Sequence, residues 1–208
     1  MIAIIDCGAA ETAALKKSLA SLDADGVSVT SADELHRASS ILLPHAKSYR
    51  RVLGAMRDCN LVAPLLTAID AGCPVLAIGS GMHLLFDAIR DSDQHAGLGV
   101  FPGTVGPFDF GNHAAARHFT SPHQGWNQVF WNEACPLLKG LSSGEFFFFD
   151  HAGHAVARDT TVVAATCNHG LEFPAVVGRG DLFGAQFLPE RSEAAGKTVL
   201  MNFLKLAA

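Results

Sequence analysis

The chain has 208 residues, 49% of them apolar and only 17% charged, enough to bury a sizeable core and too hydrophobic for a disordered polymer. Fifteen Lys and Arg stand against 20 Asp and Glu, a net charge of −5 with no basic block, which argues against a nucleic-acid partner. The apolar residues fall in short runs, none near the roughly 20 residues that cross a bilayer, so no membrane span is expected.

The N-terminus, MIAIIDCG, has no basic region ahead of its apolar stretch and predicts a strand rather than a signal peptide. Leu15, Leu19 and Leu22 then share one helical face. Val27–Thr30 and Ser40–Leu43 are further strand candidates, the second stopped by Pro44. A long helical pattern follows, with Leu61, Leu65 and Ile69 four apart, ended by Gly72 and Pro74. Val75–Ile78 predicts a strand, Gly79-Ser80-Gly81 a tight turn, and Met82, Leu85, Phe86 and Ile89 one face of a helix.

Residues 102–125, rich in Gly, Pro and His, predict a long surface excursion. Short β-like runs follow at Phe146–Phe149, Thr161–Ala165, Ala175–Val177 and Gly184–Phe187, before a last helix near Glu193–Leu206. Phe146–Phe149 is expected to be buried on both faces. Strand–helix alternation with near-continuous apolar strands predicts an α/β fold over residues 1–208 as one domain: a mixed, mostly parallel sheet with helices on both faces. The five Cys (Cys7, Cys59, Cys73, Cys135, Cys167) are scattered and unpaired in spacing, as expected of reduced thiols in a cytoplasmic protein.

The segment Pro74–Phe86, PVLAIGSGMHLLF, lies at the carboxyl end of a predicted strand, where open α/β sheets place their sites. It resembles the nucleophile elbow of class I glutamine amidotransferases, most closely that of the glutaminase subunit of imidazole glycerol phosphate synthase, which typically reads PVLGICLGMQLLFE. Gly97–Val100, Pro122–Asn127 (PHQGWN), Val162–Thr166, Gly170–Phe173 and Leu182–Ser192 (LFGAQFLPERS) follow in that family's order and spacing. The resemblance implies a flavodoxin-like amidotransferase domain.

Activity in that family rests on Cys, His and Glu acting as nucleophile, base and orienting group. Against it, the nucleophile position is Gly79 and the His-Pro-Glu motif reads Leu188-Pro189-Glu190, so only the carboxylate of Glu190 is kept. The Pro-Gly-Val-Gly oxyanion strand reads Pro44-His45-Ala46-Lys47, the pocket Gln is His83, and the His-Ser-Tyr segment is His151-Ala152-Gly153. An elbow strains a non-Gly residue by about 1–3 kcal/mol, and glycine at position 79 relieves that strain. The resemblance therefore implies a pseudo-glutaminase whose vestigial pocket comprises Pro44, His45, Ser80, Gly81, His83 and His151. Such a protein would act by binding a partner or a small molecule, with no cofactor.

The residues alone offer three other chemistries. Ser80 as a substitute nucleophile with His83 as base lacks the flanking Gly spacing of a Gly-x-Ser-x-Gly elbow, and a helix-capping Ser is the plainer reading. An anion at Gly79-Ser80-Gly81 lacks a Walker lysine. A metal at His151 and His154, or at His113, His118 and His123, lacks completing ligands, so no metal is expected and loop or surface His is the default. The amidotransferase role, supplying ammonia to a cyclase, stays open beside these. The resemblance also implies a seam with a cyclase-like (β/α) barrel near Trp126, Asn127, Phe148 and Arg191; a plain core role for Trp126 is the alternative.

Overall fold

Four short parallel strands, β1 (Ile2–Ile5), β2 (Gly26–Val29), β3 (Ser40–Leu43) and β4 (Val75–Ile78), make one half of the main sheet. In β1, β3 and β4 alternate residues enter different cores: Ile5, Leu43 and Ala77 on one face, Ile4, Leu42 and Leu76 on the other. That two-sided burial is why these strands are near-continuous apolar runs. The computed structural model describes residues 1–6, 8, 11–90, 94–111 and 119–207; Cys7, His113 and His118 lie outside them.

The other half of the sheet is antiparallel: β8 (His123–Phe130), β9 (Glu145–His151), β11 (Val163–Asn168), β12 (Glu172–Arg179) and β13 (Leu182–Ala185). The nine strands run in the order β2-β1-β3-β4-β13-β12-β11-β8-β9, so β13 joins the halves, parallel to β4 and antiparallel to β12. A second sheet, β10-β7-β5-β6, is made of β5 (Phe86–Arg90), β6 (Gln94–Ala96), β7 (Phe101–Pro107) and β10 (Gly153–Ala157).

Helices α1 (Ala13–Ala20) and α6 (Glu193–Leu206) cover one face of the main sheet with Leu15, Leu19, Val199, Leu200 and Phe203. On the other face, α2 (Ala32–Leu35), α3 (Tyr49–Asp58) and α4 (Val62–Asp70) pack beside Phe86, Phe101 and Val105 of the second sheet. The fold is the expected mixed α/β sheet with helices on both faces. No single helix among the described residues is long and apolar enough to cross a membrane.

Four expectations need correction. The long helical pattern is two helices, α3 and α4, meeting at 93° across a break where Asn60 takes φ 53°. The helix after the elbow, α5 (Ser80–Leu84), is one short turn, and Phe86 and Ile89 belong to β5. The carbonyls of Leu84, Leu85 and Phe86 accept from the N–H groups of Leu98, Phe101 and Gly99 at 2.7, 2.9 and 3.2 Å, which replaces continued helix bonding. The apolar spacing was the same in either case.

In β9, Phe147 and Phe149 are fully buried but Phe146 is half exposed, because β9 is an edge strand with only one face covered. The excursion over 102–125 is shorter than its composition suggested, since it opens in β7 and closes in β8.

Helix α6 crosses the turn at Pro189–Arg191 so closely that a Cβ on Gly196 would collide with the carbonyl of Pro189. Helix propensity alone favours Gly196→Ala by about 1 kcal/mol. The packed backbone reverses the sign, so urea unfolding should show Gly196→Ala losing about 1–3 kcal/mol.

Candidate functional site

The elbow stands at the carboxyl end of β4, and the residues that follow its two neighbouring strands close over it. His45 follows β3, and Leu188 follows β13. Gly79 takes φ 56° and ψ −119°, a region that side chains avoid. A Cβ there would lie 2.5 Å from His45 Nδ1 and 2.9 Å from Leu188 Cδ2. The space that a side chain at position 79 would need is thus occupied by these two residues.

The N–H of Ser80 donates to His45 Nδ1 at 3.3 Å, which places the ring proton of His45 on Nε2. Ser80 Oγ donates to the carbonyl of Ala46 at 2.7 Å and accepts from the Ala46 N–H at 2.9 Å. The hydroxyl clamps the loop after β3 to the elbow; it does not cap α5, which corrects the capping expectation. With both bonds engaged, the hydroxyl is a structural clamp with no general base hydrogen-bonded to it.

His83, fully buried on α5, donates from Nε2 to Gln186 Oε1 at 2.5 Å, and burial lowers its pKa to about 4. His123 opens β8 and His151 closes β9, and the antiparallel register sets them opposite one another. His151 Nδ1 donates to the carbonyl of Gly153 at 2.7 Å, so its Nε2 accepts from His123 Nδ1 at 2.9 Å. His123 Nε2 in turn accepts from the Asn127 amide at 3.2 Å. Every proton in this row points one way, which requires both imidazoles neutral.

Burial keeps them so: it lowers His123 to about 4 and His151 well below the usual histidine value. His123 is stacked between Phe149 and His169, at 4.7 and 4.0 Å between ring centroids. The default of loop or surface His, given against a metal site, is therefore corrected for His123 and His151, both buried, while His45 and His83 are buried beside the elbow as the pocket reading expected. Among the described residues no group of three or more His, Cys, Asp or Glu could hold a metal ion.

A cavity of about 440 Å³ adjoins the elbow, lined by His45, Ser80, His83, Arg90, Asp150 and His151 among others. Of the predicted pocket, Pro44 and Gly81 lie behind this wall, Gly81 pressed against the carbonyls of Leu43 and Pro44. Glu190 stands apart in the turn before α6; its Oε2 has no hydrogen-bond partner, and burial raises its pKa to about 7.

On β8 and β9 the register pairs Trp126 with Phe148, their rings meeting edge to face at 6.0 Å. Arg191 lies over Phe148 at 3.9 Å and pairs with Asp150 at 3.2 Å. Trp126 is 47% exposed, so it is not a core residue. Asn127, one residue on, faces the other way and bonds His123 and the carbonyl of Asn168. Sequence reasoning passed over the parts played by Gln186, Asp150 and Arg90 and the pairing of His123 with His151, although Gln186, His123 and His151 all sat in motifs singled out beforehand.

The chain is 35% identical over 207 residues to imidazole glycerol phosphate synthase subunit HisH of Geobacillus kaustophilus, covering 100% of this chain and 97% of the relative. It is 34% identical to the same subunit of Salinibacter ruber, covering 99% and 94%. Among solved structures, PurLQS from Thermotoga maritima matches at TM-score 0.75 and 20% identity, covering 98% of this chain and 97% of that one. A glutamine amidotransferase crystal structure matches at TM-score 0.74 and 16% identity, covering 99% and 98%. No family model matches the chain.

Gly79→Ala should lose about 2–3 kcal/mol in urea unfolding, from positive φ and the collision with His45, and adding His45→Gly should recover part of that loss. The buried imidazoles stay neutral in the fold but protonate below about 6.5 in the unfolded chain, so stability is full above that pH and falls as pH drops towards 4. At pH 5 each imidazole held near 4 should cost about 2 kcal/mol relative to pH 7, read from melts across that range. Glu190 acts oppositely, since its raised pKa favours the fold most at low pH and that contribution is lost between about 4.5 and 7. Glu190→Gln should accordingly raise the melting temperature at pH 8 and change it little at pH 4.

Proposed function

Because this chain belongs to the HisH family of class I glutamine amidotransferases, we propose that it works as a pseudo-glutaminase, a family member that keeps the frame and a docking face without hydrolysing glutamine. The observation that carries this reading is the filled elbow. Amide hydrolysis by this route needs a side-chain nucleophile, a base that takes its proton, and N–H donors aimed at the developing oxyanion. Position 79 has no side chain, position 188 holds leucine, and His45 and Leu188 occupy the space a nucleophile would need. The N–H of Ser80, the donor next to the elbow residue, is already taken by His45.

The relatives named above are subunits of a synthase, and the partner proposed for this chain is a cyclase-like (β/α) barrel. Trp126, Phe148 and Arg191 would form the docking face, with Asp150 holding the guanidinium over the Phe148 ring. Exposed tryptophan and arginine at the centre of a patch are the residue types that dominate protein interfaces. Asn127, turned inward, would support His123 rather than touch the partner.

Purified chain, alone and with the cyclase subunit of its organism, should release no ammonia from glutamine above background, while an intact family member releases it in the same assay. Ammonia release would overturn the reading in favour of a retained amidotransferase. Trp126→Ala should weaken binding to the cyclase by about 2 kcal/mol or more, roughly 30-fold in Kd by calorimetry, without lowering the melting temperature.

A further inference from the structure

We infer that the cavity beside the elbow binds a small organic anion, a carboxylate or phosphate ester, through Arg90, Lys47 and a hydrogen bond from His45 Nε2. The inference rests on the pseudo-glutaminase reading, since it assigns the same cavity a ligand that is held and not cleaved.

Hydrogen-bond direction comes first. His45 is 93% buried, being 7% exposed, and its Nδ1 is occupied by the Ser80 N–H. The ring proton therefore sits on Nε2, where no described residue accepts it, and His45 lines the cavity. An unused donor on a ring otherwise locked in place is a preorganised contact for an acceptor oxygen. The other two imidazoles of the wall offer no such group: His83 is engaged by Gln186, and both ring nitrogens of His151 are bonded to Gly153 and His123.

Charge points the same way. Among the described residues Asp150 is the one carboxylate in the lining; it is paired with Arg191 at 3.2 Å and accepts from the Gln124 amide at 3.3 Å. Arg90 is exposed at the end of β5, and no ion pair to it is found among the described residues. Among the described residues Lys47 pairs only with Glu11, at 3.7 Å with both side chains largely in water, a contact of little strength that a ligand can replace. With burial holding His83 near 4, the imidazoles add no charge at neutral pH. The cavity is thus locally positive in a chain of net charge −5, and its volume of about 440 Å³ suits a metabolite-sized ligand.

Isothermal titration of the full chain with succinate, inorganic phosphate and glutamine as separate probes tests this. Two variants accompany the wild type. Arg90→Glu reverses an exposed charge and leaves the core alone. His45→Asn keeps an acceptor for the Ser80 N–H but loses the Nε2 donor. Succinate or phosphate should bind the wild type, and each substitution should weaken that binding by about tenfold or more, the scale of one charge-assisted hydrogen bond. Whichever of the two probes binds distinguishes a carboxylate from a phosphate ligand. No binding of either, binding of glutamine alone, or binding unchanged in Arg90→Glu would overturn the assignment. Ammonia released from glutamine in the same samples would instead overturn the pseudo-glutaminase reading and leave the anion titrations to stand on their own result.

Discussion

The elbow is held by a small set of hydrogen bonds between strand ends, and the site is arranged around them. Gly79 donates to the carbonyl of Ala185 at 2.7 Å, Ser80 donates to His45, and the Ser80 hydroxyl makes a reciprocal pair with Ala46. These bonds tie the ends of β3, β4 and β13 into one buried unit, in which the Ser80 N–H, the Ser80 hydroxyl and the Ala46 peptide groups find partners in another chain segment while His45 Nε2 is left facing the cavity. The positive φ of Gly79 is the geometric condition for all of them, because it turns the chain from β4 into α5 while leaving room for the imidazole.

The parallel half of the sheet was legible from sequence because burial on both faces demands unbroken apolar runs, and Ile41–Leu43 and Val75–Ile78 are such runs. Helix α6 was legible over its whole length for a similar reason, an apolar face bounded by a clear start. The short α5 was not. Met82, Leu85, Phe86 and Ile89 are apolar whether they face a core as one helix or as a turn followed by a strand, and only the distant segment Leu98–Phe101 decides between these. The exposed Phe146 escaped notice because four phenylalanines in a row carry no alternation to reveal an edge strand.

The site divides along the same line. The glycine at position 79 and the leucine at position 188 could be read as departures from the family's motifs because local motifs fix their alignment. What fills the gap could not, since His45, Gly79 and Leu188 come from three strand ends far apart in the chain. The row from Asn127 through His123 to His151 depends on the register of β8 against β9, a pairing of residues 28 apart that no local pattern encodes. The metal candidates His123 and His151 looked like surface groups because histidine usually is one; here His123 stacked on Phe149 and His151 tilted against Phe108 have the apolar surroundings that keep them uncharged.

The packing at Gly79 also bears on the history of the chain. Placing a thiol there would force its Cβ against His45 and Leu188, placing an imidazole at position 188 means replacing a buried leucine, and removing His45 alone leaves the Ser80 N–H without its partner. Each change taken singly passes through a less stable protein and returns nothing until the others are in place. Natural stability margins are only about 5–15 kcal/mol, so such intermediates are exposed to selection. Under the proposed reading the interlock would work as a ratchet: with imidazole and leucine closed over the elbow, descent from an active ancestor would be a one-way passage, and later change would be steered towards the cavity that remains.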